Sequence, residues 1–281
     1  MTRKHTESRQ TLSDYHVHTS LCHHAEGLTS EYLDQARLKN IPELCFTDHA
    51  PNPHGYDPAN RMALDDFAAY QAMIRPLQKS ESPRVLFGVE ADYYPGGLDF
   101  LRQWLAAHSF DFVLGSVHYV GDWGIDSPAE MHRWRTADVP DAWRKYFLLL
   151  ADLADTHLFD AVGHLDLPKK FGFVPPEQDI AGMAGPALDR IAEAGMSIEV
   201  NTAGLRKPIG EIYPSPLLLR MARERGITIC FGSDAHKPGE VGFEFPAALR
   251  LAREAGYTHA ARYSRRRRTL VPLPEAAANN P

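Results

Sequence analysis

Seven short apolar runs alternate with seven helical patterns along this chain, and nearly every run ends on a histidine, a carboxylate or an amide. The runs are LSDYHVHT (12–19), PELCFTDH (42–49), RVLFGVEADY (84–93), FDFVLGSVHYV (110–120), FDAVGHLDL (159–167), SIEVNT (197–202) and ITICFGSDAH (227–236). Helical spacing falls at 30–40, 65–78, 97–108, 141–157, 186–195, 216–226 and 246–256. The last three open on Pro186, Pro216 and Pro246 and close on Gly195, Gly226 and Gly256, the usual asymmetry of helix start and stop. Strict alternation implies an α/β protein with a parallel sheet inside and helices outside. Closure into a barrel explains this number of units better than an open doubly wound sheet does. No G-x-G-x-x-G follows the first run, which counts further against a dinucleotide fold. The longer insertions, 50–64 and 121–140, follow the second and fourth runs, on the face where barrel enzymes build their sites.

No linker rich in Gly, Ser or Pro divides the 281 residues, so one domain over 1–281 is expected, with its core at about 12–270 and flexible polar ends. The net charge of −6 argues against a nucleic-acid binder. The run RRRR (265–268) reads as a solvated edge that could steer phosphorylated molecules by long-range attraction. No apolar run reaches the roughly 20 residues of a membrane span. The polar N-terminus lacks a signal-peptide core, and Cys22, Cys45 and Cys230 form no paired motif. A cytoplasmic protein is expected.

Histidine is the compositional outlier, with 14 in the chain. His16 and His18 lie at i and i+2 near the end of the first run, so both point to one face. Asp48 and His49 end the second run, Glu90 and His118 lie near the ends of the third and fourth, and His164 sits within the fifth. Asn201 ends the sixth, and Asp234 and His236 end the seventh. In a parallel barrel these ends meet at one rim. A single histidine there is more often a hydrogen-bonded rim residue than a ligand. The joint pattern is different, because buried parallel strands should be near-continuous apolar runs, and that many unpaired imidazoles and carboxylates would be costly to bury. Metal ions remove the cost. The donor set suits zinc, manganese or iron and is too large for one tetrahedral ion. Two or three ions sharing a carboxylate, best supplied by Glu90, would serve hydrolysis at phosphorus.

DYHVHT, Cys22 to Ala25, FTDH (46–49), GVE (88–90), GSVH (115–118), GHLDL (163–167) and GSDAH (232–236) resemble, in order, the motifs of the PHP (polymerase and histidinol phosphatase) family. The resemblance implies a distorted seven-stranded (β/α)7 barrel of the PHP type with a trinuclear metal site. It makes His16, His18, Glu90 and Asp234 ligands of one ion, Glu90, His118 and His164 of a second, and His24, His49 and His236 of a third. His24 rather than His23 matches, because it precedes Ala25.

GSVHYVGDWGIDSP (115–128), GHLDLPKKFG (163–172) and EVNTAGLRKPIGEIYPSP (199–216) are further similar to the monofunctional histidinol-phosphate phosphatases of that family. A phosphomonoesterase acting on L-histidinol phosphate is then expected, with a PHP phosphoesterase acting on nucleotides or another small phosphate ester as the alternative. Glu90, His118 and Asp234 are the expected catalytic residues, Asp234 or a metal-bound water giving the leaving group its proton. Arg206 would grip phosphate oxygens, unless it merely pairs with Glu211. Lys170 is a weaker candidate, beside Lys169. Trp123 would stack on the imidazole of the leaving group, and Asp122 or Asp126 would pair with its ammonium. A small phosphate ester is the expected partner, with neither nucleic acid nor membrane; a homo-oligomer is left open. Cys22 lies among the ligands but reads more simply as an inert loop thiol.

Overall fold

A computed structural model describes residues 12–53 and 55–275. The two polar ends expected to be flexible lie outside the described residues. Seven strands pair in chain order, each parallel to its neighbour. They are β1 (Asp14–Val17), β2 (Glu43–Phe46), β3 (Arg84–Asp92), β4 (Phe112–Ser116), β5 (Ala161–Val162), β6 (Ser197–Asn201) and β7 (Thr228–Gly232). The ring all but closes beyond the strand ends, where the His18 amide donates to the Ala235 carbonyl at 3.0 Å and the Ala235 amide to that of His16 at 3.2 Å. Asp14 ties the same seam from inside, accepting from the Ser233 amide at 2.9 Å and the Gly242 amide at 2.9 Å. Distortion shows in β5, which is two residues long, and in the shifted register between β1 and β2.

The helices are α1 (Thr29–Leu38), α2 (Phe67–Ile74), α3 (Leu98–Ala107), α4 (Val139–Asp155), α5 (Glu177–Glu193), α6 (Pro216–Glu224) and α7 (Phe245–Glu254). Pro216 and Pro246 stand in first turns, as expected. Pro186 does not: α5 starts nine residues earlier, at Glu177, and the proline lies inside it. An interior proline removes one hydrogen bond and crowds the carbonyl four residues back. That residue is Gly182, with open space on its side-chain face. None of the described helices is long and apolar enough to cross a membrane.

A C-terminal hairpin, β8 (His259–Ser264) and β9 (Arg267–Pro272), was not foreseen from the sequence. It closes the barrel floor. Tyr263 enters the interior, its ring 4.7 Å from that of Phe112 and its hydroxyl 2.6 Å from Ser197 Oγ. The basic run forms the hairpin's turn, with Arg265 and Arg266 at φ of 49° and 62°. Arg266 Nε lies 3.1 Å from Asp160 Oδ2, and Arg268 Nη1 donates to the Gly195 carbonyl at 2.7 Å. Asp160 and Gly195 precede β5 and β6, so these arginines are tied to the floor, on the face opposite the rim histidines. The run is structural and stands away from any ligand approaching that rim.

Candidate metal centre

Glu90 lies within β3, and its carboxylate is 1% exposed. Oε1 accepts from Ser116 Oγ at 2.6 Å and lies 3.1 Å from His164 Nε2 and 3.6 Å from His118 Nε2. Oε2 lies 3.1 Å from His49 Nδ1, 3.2 Å from His16 Nε2 and 3.5 Å from His18 Nε2. Each oxygen therefore serves a different group of imidazoles. Burial raises the cost of charge on Glu90, but His16, His49 and His164 hold its carboxyl well below the usual carboxylate range. Asp234 Oδ1 faces the first group from β7's end, 3.2 Å from His18 Nε2 and 3.6 Å from His16 Nε2. Burial opposes its charge as well, and His16, His18 and His236 lower it far below the ordinary range. His164 and Asp234 have φ of 26° and 52°, left-handed backbone that non-glycine residues adopt at a cost. Those turns swing their side chains over the barrel mouth.

The ring nitrogens show what the cluster is built to hold. His16 Nδ1 lies 2.7 Å from Glu199 Oε1, and His118 Nδ1 lies 2.9 Å from Asp92 Oδ1. His24 Nδ1 faces the Cys22 carbonyl at 2.7 Å, and His236 Nδ1 faces that of Asp234 at 3.0 Å. A ring nitrogen bonds to such oxygens only when it carries the proton, so in the neutral form of each ring the lone pair falls on Nε2. The Nε2 atoms of His24 and His236 meet at 2.9 Å, close enough to share a proton or a metal ion. Both nitrogens of His18, together with His49 Nδ1 and His164 Nδ1, are buried without a hydrogen-bond partner. His49 Nδ1 and His18 Nε2 come close to carboxylate oxygens yet lack hydrogen-bonding angles. Donor atoms that converge without bonding to one another suit a shared metal ion.

His16, His18 and Glu90 bring ligand atoms within 4.8 Å of one another, as do Glu90, His118 and His164, and His24, His49 and His236. These are the three groups that the family resemblance implies, with Asp234 beside the first. Two further groups within that distance are His18, Cys22 and His236, and His49, Asp92 and His118. Cys22 is buried, not a loop thiol in solvent. Burial opposes its ionisation, and contact with His18 and His24 favours it enough to lower its pKa.

Sequence reasoning missed the residues that aim the ligands. Glu199 orients His16 and also accepts from the His164 amide at 3.0 Å. Asp92 orients His118, and Asp48 accepts from the Thr19 hydroxyl and amide beside His18. The signal was present: Glu90 with Asp92, and Glu199 with Asn201, repeat the i, i+2 pairing of His16 with His18.

A cavity of about 460 Å³ opens onto the cluster. Lys170, Arg206, Lys207, Asp57, Asp126 and Glu240 are among its lining residues. Arg206 Nη2 donates to the carbonyls of Ser233 at 2.9 Å and Asp234 at 3.1 Å, and its Nε lies 3.4 Å from Glu240 Oε1. Glu211 pairs instead with Lys169, a buried lysine also 3.0 Å from Asp166. Lys170 Nζ lies 2.9 Å from Asp126 Oδ2. Asp122 points away and pairs with Arg133. The expectation for Trp123 fails. The residues on either side of the turn, Tyr119–Val120 and Trp123–Gly124, pair as a small hairpin. That hairpin turns the indole inward, 4.5 Å from the ring of Trp134 and under the Arg133 guanidinium, and leaves Tyr119 and Gly124 on the cavity wall.

The model of the PHP domain matches residues 14–203, and that of the PHP-associated region matches 217–243. The chain belongs to the PHP family. A relative in Deinococcus radiodurans, named probable histidinol-phosphatase, is 45% identical over 247 residues, 87% of this chain and 94% of its own. The histidinol-phosphatase of Bacillus subtilis is 29% identical over 264 residues, 84% of this chain and 97% of its own. The fold is that of the Lactococcus lactis histidinol phosphate phosphatase, solved with zinc, L-histidinol and phosphate: TM-score 0.80 at 24% identity, over 92% of this chain and 99% of that one.

Two outcomes follow from this PHP geometry. Glu90→Gln keeps the size of the side chain but cannot neutralise cations on both sides. It should lose at least one bound ion per chain by elemental analysis while far-UV circular dichroism stays unchanged; full metal content would remove Glu90 from the ligand set. Trp123→Ala should destabilise by about 3 kcal/mol in denaturant unfolding and leave the relative rates on ring-bearing and ring-free phosphate esters unaltered. A selective loss on the ring-bearing ester would restore the stacking role.

Proposed function

We propose that this protein is a metal-dependent phosphomonoesterase that hydrolyses L-histidinol phosphate to L-histidinol and phosphate, a step of histidine biosynthesis in the cytoplasm. The observation that carries the reading is the cluster of converging, unpaired imidazole nitrogens around buried Glu90, opening onto a cavity with cationic and acidic walls. The 45% identical relative named probable histidinol-phosphatase supports the substrate. His16, His18, Glu90 and Asp234 would hold one divalent ion, Glu90, His118 and His164 a second, and His24, His49 and His236 a third. Zinc, manganese or iron bound there would lend Lewis acidity to the phosphate and to an attacking water.

The chain's own residues set the rest. Glu90 fixes the spacing of the ligand groups, because its two oxygens face different imidazoles. Arg206 keeps Nη1 without a hydrogen-bond partner and, with Lys207, makes the cavity wall nearest Asp234 cationic, suited to non-bridging phosphate oxygens. Its Nη2 bonds also hold the backbone that presents Asp234. Asp234 itself is kept ionised by three imidazoles, which suits a ligand and not a proton donor. In this reading the leaving alkoxide takes its proton from water. Asp57 and Asp126 offer carboxylates to the substrate's ammonium from the two insertions after β2 and β4.

The test is phosphate release from a panel of L-histidinol phosphate, an aryl phosphate, a nucleoside monophosphate and a phosphodiester. The kcat/KM for histidinol phosphate should exceed the others by about a hundredfold or more, since the cavity holds charged partners the competitors cannot satisfy. Preference for the nucleotide or the diester would overturn the substrate and leave the metal centre standing.

A further inference from the structure

The insertion after β2 is anchored by a guanidinium that is 2% exposed. Arg61 Nη1 donates to the Ala50 carbonyl at 3.1 Å. Its Nη2 donates to Asp92 Oδ2 at 2.9 Å and to Asp57 Oδ2 at 3.3 Å. Asp92 is buried at the end of β3, and its other oxygen meets His118 Nδ1 at 2.9 Å. Tyr56 completes the group: its hydroxyl donates to Asp92 Oδ2 at 3.1 Å, and its ring lies flat on Tyr94 at 3.8 Å. Asp57 and Asn60 of the same insertion line the cavity, and Asn60 Nδ2 donates to Asp57 Oδ1 at 2.7 Å.

One cation thus serves two carboxylates with different duties. Asp92 aims His118 at Glu90 and strengthens it as a donor, as carboxylates behind metal-binding histidines do. Asp57 stands in the cavity wall. Removing one member of a buried charged set leaves the others uncompensated, which is far costlier than breaking a surface pair. We propose that Arg61 is a positioning residue that couples the insertion 51–64 to the metal ligand His118 through Asp92, so that seating the cavity wall and binding metal favour each other. By thermodynamic reciprocity, metal then tightens the insertion as much as the seated insertion tightens metal. The coupling rests on the reading of His118 as a ligand and is independent of which phosphate ester is hydrolysed.

The experiment uses the full chain, freed of metal by chelation and titrated with Zn²⁺, with hydrogen exchange followed in 51–64. In the wild type, Zn²⁺ should slow exchange in that segment. Arg61→Met and Asp92→Asn should each weaken one step of the Zn²⁺ titration by about 10–100-fold and abolish the slowing. Arg61→Lys keeps the charge without the fork. It should recover only part of the lost Zn²⁺ affinity, and Zn²⁺ should slow exchange in 51–64 by a correspondingly smaller factor. A purely structural role predicts something else: a lower melting temperature with wild-type Zn²⁺ affinity and wild-type slowing, and that result in Arg61→Met overturns the proposal. If Arg61→Met does not fold, Asp92→Asn decides in the same terms. A wild type that takes up no Zn²⁺ would remove the metal centre itself, and a wild type that binds Zn²⁺ with no change in 51–64 would remove the coupling alone.

Discussion

Glu90 places a carboxylate at 1% exposure among imidazoles delivered by four other strand–loop units. A lone charge there would be driven to protonate. Instead His16, His49, His118 and His164 surround it, with His16 and His118 fixed from behind by Glu199 and Asp92. Burial opposes charge on the rings of His16, His18 and His118, yet neighbouring carboxylates raise His16 and His18 well above the usual imidazole pKa and His118 to about 10. His49 and His236 go the other way, driven well below it by burial and by the proximity of His18. Cations with open coordination positions reconcile these opposed demands, because they satisfy lone pairs and carboxylates together.

The barrel exists to deliver that geometry. Each strand contributes one or two side chains at its C-terminal end, and the short links beyond the strands aim them inward. The floor carries none of this chemistry. It is filled by Tyr15, Phe112, Leu114 and Tyr263 and clamped by the arginine turn. Stability and function are thus separated along the barrel axis, as is usual for parallel barrels. The insertions after β2 and β4 add what the strands cannot, a cavity wall that carries Asp57 and Asp126.

The residues of the rim cluster were readable in the sequence because they break a strong rule. His16, His18, Glu90 and His164 interrupt runs that a buried parallel strand would keep apolar. The residues behind them were less readable. Glu199 looks like a stray charge inside SIEVNT, and only the barrel's curvature brings it 2.7 Å from His16, across 183 residues of chain. Arg61 reaches Asp92 across 31 residues and sits in an insertion with no periodicity to read. Trp123 was misplaced because a two-residue strand carries too little pattern to show which face its side chains take. Pro186 was taken for a helix start because proline favours a first turn, whereas the helix begins nine residues earlier, at Glu177. Helices and strands follow from local pattern, whereas orientation at short elements depends on tertiary contact.

The claim on which the account stands is that more than one ion must bind at this rim before the ester is cleaved. Zn²⁺ titration of the chelated protein, with bound metal and phosphate release from L-histidinol phosphate measured on the same samples, tests it directly. Release should be negligible at one equivalent and rise as the second and third equivalents bind. Full activity with one bound ion, or with none, would contradict it.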